Sequence, residues 1–296
     1  MRLRLIVRKK NIQIVFLFLA ILNLSTCSSS SSNGACPKSK AAASNLEVEP
    51  SAKAAVQVHP NGKDTTWNWQ LTETLDTTYD VNVYDIDLFE TSEATISSLH
   101  ADGRKVICYF SAGSSENFRD DFLDFNEEDL GKPLDGWAGE KWLDIRSQNI
   151  LDIMEARLDL AQIKGCDGVE PDNMDGYQQD TCFDLTENDQ LAYNRAIANF
   201  ARDRGLSVAL KNTPDLIPEL VDYFDFSVSE ECFFYEECSK YLPFTNQDKP
   251  VFNAEYEETY RTNPDQSELC TYGNNNEIQT LVLSLDLDNT YRYSCF

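Results

Sequence analysis

The 296-residue chain carries 50 Asp and Glu against 25 Lys and Arg, a formal charge of −25, with two histidines and nine cysteines. So acidic a surface repels nucleic acid and anionic lipid and attracts cationic ligands. An apolar content of 42% with 16 Phe excludes a disordered chain.

Residues 1–26 read as a signal peptide. Arg2, Arg4, Arg8, Lys9 and Lys10 precede an unbroken apolar run from Ile14 to Leu22, too short to span a bilayer. Leu24-Ser25-Thr26-Cys27 resembles a lipobox, which makes Cys27 a candidate lipid anchor, the one membrane attachment expected. Removing the five cations leaves a charge of −30 on the exported chain. Residues 27–64, rich in Ser and Ala, read as a linker. About 230 residues remain from Thr65 on, enough for one large core.

Eight cysteines follow Cys27, and an exported chain with so many holds disulfides. Cys232 with Cys238 and Cys270 with Cys295 are the expected local pairs. Cys108, inside an apolar strand, is expected as a free core residue. No spacing is that of a zinc knuckle, so neither a metal nor any other cofactor is expected.

Eight strand-like segments follow in order: Trp67–Leu71, Val81–Phe89, Lys105–Ala112, Gly165–Asp172, Ser207–Asn212, Phe224–Cys232, Pro250–Tyr256 and Thr280–Asp286. Helical patterns lie between them, clearest at Ser147–Lys164 and Thr186–Asp203. In the second, Tyr193, Ala196, Ile197 and Phe200 recur on one face behind Thr186 as N-cap. Strands alternating with helices pair in parallel. Eight such units predict an α/β fold, a single (β/α)8 TIM barrel over 65–296. The fallback, a doubly wound open sheet, lacks a Gly-rich phosphate loop.

The strand ends carry the chemistry. They read Asp85-Ile86-Asp87, Glu170-Pro171-Asp172-Asn173, Lys211-Asn212, Glu230-Glu231, Asn253-Ala254-Glu255-Tyr256 and Asp286-Leu287-Asp288. In a barrel these ends ring one mouth. Facing carboxylates there raise the pKa of one partner enough for it to act as an acid. His59 falls in the linker and His100 on a predicted surface helix, so no Ser-His-Asp triad or zinc-protease motif can be assembled. Carboxylates, aromatics and amides without histidine suit glycoside hydrolysis, where two carboxyl groups suffice. Trp67, Trp69, Tyr109, Phe110 and Tyr256 are either sugar-stacking faces or core.

The motifs Trp67-Asn-Trp-Gln70, Val83-Tyr-Asp-Ile-Asp-Leu-Phe89, Val106-Ile-Cys-Tyr-Phe-Ser-Ala-Gly113, Trp142-Leu-Asp-Ile-Arg146, Gly168-Val-Glu-Pro-Asp-Asn173 and Leu210-Lys-Asn212 resemble glycoside hydrolase family 114. Glu230 with Cys232, and Glu255-Tyr256, continue the resemblance over essentially all of 65–296. It implies a (β/α)8 barrel with endo-α-1,4-polygalactosaminidase activity on galactosamine-containing polymers, with Asp172 and Glu230 as the catalytic acids. Deacetylated galactosamine is cationic near neutral pH, which agrees with the acidic charge.

Asp172, among Asn173, Lys211 and Asn212, is expected as the nucleophile, because donors and a cation favour its charged form. Glu230, beside Glu231 and followed by Phe233, Phe234 and Tyr235, is expected as the proton donor. Asp85, Asp87, Tyr109, Glu170, Asn173, Lys211, Asn212, Glu255 and Tyr256 are the expected substrate-binding residues. The expected location is secreted or cell-surface. The competing expectation is a surface-anchored barrel that binds amino-sugar polymer without cutting it.

Overall fold

The structure, a computed structural model, describes residues 62–263 and 265–296, together with residues 49–51 and Val58. The expected signal peptide and Cys27 lie outside the described residues.

In chain order the strands are β1 (Trp67–Gln70), β2 (Val83–Asp87), β3 (Lys105–Ser111), β4 (Ser114–Glu116), β5 (Leu130–Pro133), β6 (Glu140–Leu143), β7 (Gly168–Asp172), β8 (Ser207–Lys211), β9 (Phe226–Glu230), β10 (Val251–Glu255), β11 (Ile278–Leu283) and β12 (Arg292–Ser294). All eight expected barrel strands form. β1, β2, β3, β7, β8, β9, β10 and β11 pair in parallel in that order. The helices are α1 (Glu93–Ala101), α2 (Gln148–Lys164), α3 (Glu187–Asp203), α4 (Ile217–Leu220), α5 (Leu242–Thr245) and α6 (Asp265–Asn275). Thr186 and Asp189 form a reciprocal capping box that starts α3. Gly165, in the left-handed region, ends α2 and turns the chain into β7.

Alternation along each strand separates two cores. One face packs against the helices through Tyr84, Ile86, Cys108, Phe110, Val169, Val208 and Leu210, joined by Ile150, Met154 and Leu158 of α2 and Ile197 of α3. The other face points into the barrel: Trp67, Trp69, Val83, Ile107, Ala209, Phe226, Val228, Phe252, Ala254, Leu281 and Leu283. Trp67 stacks on Phe252 at 4.8 Å, which brings the first barrel strand against the seventh. The sheet therefore curls into a (β/α)8 barrel.

Two features were not anticipated. The first is an antiparallel three-stranded sheet, β5–β6–β4, inserted between β3 and α2. The second is β12, which pairs antiparallel with β11. From β12 the Arg292 guanidinium donates to Asn68 Oδ1 at 2.6 Å and to the Trp67 carbonyl at 3.1 Å, tying the last strand to the first.

The expected linker also contacts the barrel. Val58 is fully buried in the inner core, and the Ser51 amide donates to Asn199 Oδ1 at 2.7 Å.

Cys108 is not free: it is bonded to Cys166, joining β3 to the approach to β7. Its sequence surroundings are apolar, and only the adjacency of those strands shows the partner. The two expected local disulfides, Cys232–Cys238 and Cys270–Cys295, are present. No helix among the described residues is long and apolar enough to cross a membrane.

Candidate active site

Inward-facing positions at the carboxyl ends of β2, β3, β7, β8 and β9 converge on one ammonium group. Lys211, 1% exposed, places Nζ 2.8 Å from Glu170 Oε1, 3.1 Å from Asp172 Oδ1 and 3.5 Å from Glu230 Oε2. Its floor is the Trp69 ring, 4.7 Å below, with Tyr109 to one side at 5.7 Å. Burial opposes the charge on Lys211, but Asp172, Glu170 and Glu230 together hold it well above its ordinary value.

Beneath Lys211 lies a second pair. Asp85 and Glu170 are both fully buried. Burial, then the neighbouring Glu170 charge, drives Asp85 well up; burial pushes Glu170 up to about 7 against the pull of Lys211. A proton on Asp85, shared with Glu170, accounts for both, since two buried carboxylates cannot both ionise beside one cation.

Asp172 and Glu230 reach higher and are partly exposed. Asp172 accepts from the Asn173 amide at 2.7 Å and from Tyr109 Oη at 3.0 Å. Glu230 accepts from Tyr256 Oη at 2.5 Å and from Asn212 Nδ2 at 3.1 Å, while its own amide donates to Asn212 Oδ1 at 2.9 Å. Asn173 and Asn212 both leave their strands in the left-handed region, which Asn tolerates better than most residues. Gly113 makes the first turn possible, because a Cβ there would stand 1.8 Å from the Asn173 carbonyl oxygen.

The structure thus gathers Tyr109, Asn173, Lys211, Asn212 and Tyr256 around the two acids, as holders of those acids. The other expected substrate-binding residues stand apart from these two acids. Asp85 and Glu170 lie under Lys211 and are fully buried. Asp87 is saturated: Arg119 donates to both its oxygens at 3.1 and 2.6 Å, and the amides of Phe89 and Glu90 donate to Oδ1. Glu255 faces outward, because Ala254 and Tyr256 take the inward positions of that strand. Its Oε1 accepts from the Phe233 amide at 2.8 Å and from Asn253 Nδ2 at 3.0 Å, so it braces the loop after β9. Trp67, Trp69 and Phe110 are core.

The aromatics that follow Glu230 in sequence do not surround its carboxylate. Phe233 packs on Tyr260 and Tyr272, and Phe234 with Tyr235 form an exposed edge-to-face pair. Cys232, Cys238 and Glu255 are clustered, but the two sulfurs are bonded to each other and offer no thiolate to a metal.

Sequence reading missed Ser111, Ser114, Glu116, Arg119 and Glu140 at the same mouth. Ser111 Oγ accepts from Asn173 Nδ2 at 2.9 Å and lies 2.6 Å from Ser114 Oγ, which donates to Glu140 Oε2 at 2.8 Å. Ser111 and Ser114 stand within or just after a motif strand, which was the available signal. Glu140 has none, since it arrives on the inserted sheet.

A (β/α)8 barrel with two partly exposed carboxylates held by fixed donors at its mouth is the framework of a glycoside hydrolase. The family model for glycoside-hydrolase family GH114 matches residues 47–295, and the chain belongs to that family. The crystal structure of Aspergillus fumigatus Ega3 in complex with galactosamine is similar, with 41% identity over 84% of this chain and 99% of that one and a TM-score of 0.75. The glycoside hydrolase domain of PelA from Pseudomonas aeruginosa shares the fold at 14% identity over 75% of this chain and 96% of that one, TM-score 0.59. No curated protein sequence matches the chain.

Proposed function

We propose that this chain is an exported hydrolase that cuts α-1,4-linked galactosamine polymers internally, with Asp172 as nucleophile and Glu230 as acid and base. One observation carries the reading: both carboxylates contact the same buried Lys211 ammonium. Their nearest oxygens are therefore separated by no more than the sum of those two distances. A pair gathered on one ammonium suits a nucleophile and an acid/base acting on one glycosidic bond.

Asp172 has the shorter contact to Lys211 and takes a backbone amide on the same oxygen, which fixes it as the attacking group. It attacks the anomeric carbon while Glu230 protonates the glycosidic oxygen, and the C–O bond breaks to leave a glycosyl ester. Glu230 then takes a proton from water, whose oxygen attacks the same carbon and releases Asp172. The similarity to Ega3, solved with galactosamine, and the excess of acid over base support a cationic amino sugar as substrate. The leader read at residues 1–26 supports export.

Mass spectrometry of products from α-linked galactosamine, N-acetylgalactosamine and galactose polymers tests this. Internal oligomers from the first polymer are expected. Binding to that polymer without release of reducing ends, across a pH series, would instead establish a non-catalytic polysaccharide-binding barrel.

A further inference from the structure

The inserted sheet brings a carboxylate to the mouth that the proposed hydrolytic steps do not use. Glu140 on β6 is the register partner of Glu116 on β4. Glu116 is 3% exposed, with Oε1 taken by Arg119 and Oε2 without a hydrogen bond. The cation nearest that oxygen is Arg157 Nη1, at 3.6 Å. Arg119 and Arg157 already serve Asp87 and Asp121 as well. Glu140, half-buried beside these acids, makes no ion pair among the described residues, and the donor to its side chain is Ser114 Oγ on Oε2.

The donor inventory fixes the direction of the serine chain. Ser111 Oγ accepts from Asn173 Nδ2 and from the Ser114 amide, so its proton goes to Ser114 Oγ, whose proton goes to Glu140. The chain thus ends on an acceptor, with Oε1 left over and a like-charged, under-satisfied neighbour beside it. Such a seat disfavours a bare carboxylate and favours one paired with an entering cation. The chain starts at Asn173, whose amide holds Asp172, so the seat lies beside the sugar that Asp172 would attack.

We propose that Glu140, backed by Glu116, is the specificity-determining residue that receives the protonated 2-amino group of a galactosamine unit in the polymer. This rests on the galactosamine-polymer reading above. A neutral N-acetyl group brings no positive charge to the pair and gains nothing from it, so the seat separates free from acetylated amines.

The test compares wild type with Glu140→Gln on galactosamine and N-acetylgalactosamine oligomers of equal length, by kinetics and by calorimetric binding. The variant is expected to raise KM and Kd for the galactosamine oligomer about tenfold, with kcat within about twofold, and to leave the acetylated oligomer unchanged. Equal losses on both oligomers, or no loss on either, overturns the inference. If Glu140→Gln does not fold, Glu140→Asp retracts the charge by one methylene and must raise KM selectively for the free amine; an unchanged KM overturns the inference. A wild type that binds galactosamine oligomers through Glu140 without cutting them removes the hydrolase reading and supports this one. A wild type that cuts them with Glu140→Gln indistinguishable does the reverse, and one that neither binds nor cuts them overturns both.

Discussion

Lys211 Nζ stands 2.8 Å from Glu170 Oε1, with both side chains out of contact with solvent. Asp85 lies beneath the pair with its carboxyl driven well up by burial and the Glu170 charge, and Asp172 and Glu230 meet the same ammonium from above. Lys211→Met removes the one positive charge in this column. Breaking such a buried pair costs about 3–5 kcal/mol, so the urea midpoint is expected to fall and hydrolysis to be lost. A variant as stable as wild type would show that Glu170 is already neutral in the folded protein.

The division of labour between Asp172 and Glu230 is read with substrates bearing an activated aryl leaving group, which need little acid help. Glu230→Gln is expected to keep activity on these while failing on polymer, and Asp172→Asn to fail on both. The reverse pattern would exchange the roles.

Retention is what the proposed glycosyl ester on Asp172 requires. Proton NMR of early products is expected to show the α-anomer before mutarotation. The β-anomer would mean a single displacement by water, with no ester on Asp172.

Glu255 sets a pH dependence of stability. Burial holds its carboxyl up at about 7, against an ordinary value of 4.5. Between those values the folded chain keeps a proton that the unfolded chain has released. Stability therefore falls as pH rises from 4.5 through 7, and this contribution is flat above. Glu255→Gln keeps the acceptor for Phe233 and removes the titration. Comparing unfolding free energies near pH 5 and pH 8, the variant is expected to lose up to about 3 kcal/mol less than wild type. Identical pH slopes would mean that water reaches the carboxyl.

The Cys108–Cys166 bond closes a span of 58 residues. On the chain-entropy account a loop of that size is worth about 4 kcal/mol. Cys108→Ala with Cys166→Ala is expected to lower stability by that order in denaturant titration while leaving KM unchanged, since both sulfurs lie on the helix-facing side of the barrel. A rise in KM would show that the bond also shapes the mouth.

The barrel was legible along the chain because its order is local. The strands are short runs rich in apolar residues, several closed by Asn or acids such as Asn173, Asn212 and Glu230-Glu231, and the long helices repeat an apolar face under recognisable caps. The family resemblance was legible for the same reason, since its motifs are contiguous strand ends. The period of two along a strand also decides which side chains share a face, and at β10 that parity turns Glu255 away from the mouth although Glu255-Tyr256 reads as one motif. What tertiary structure alone decided was depth and partnership. Glu170 precedes Asp172 by two residues on β7, but that Asp85 of β2 meets it at that depth is set by the register of both strands against β3. Asp87 is spent on Arg119, Cys108 finds Cys166 across neighbouring strands, and Glu140 reaches Ser114 from an inserted sheet. Hydrogen bonds and ion pairs act over about 3 Å of space, and a residue's distance along the chain carries no record of which groups the closed barrel brings that near.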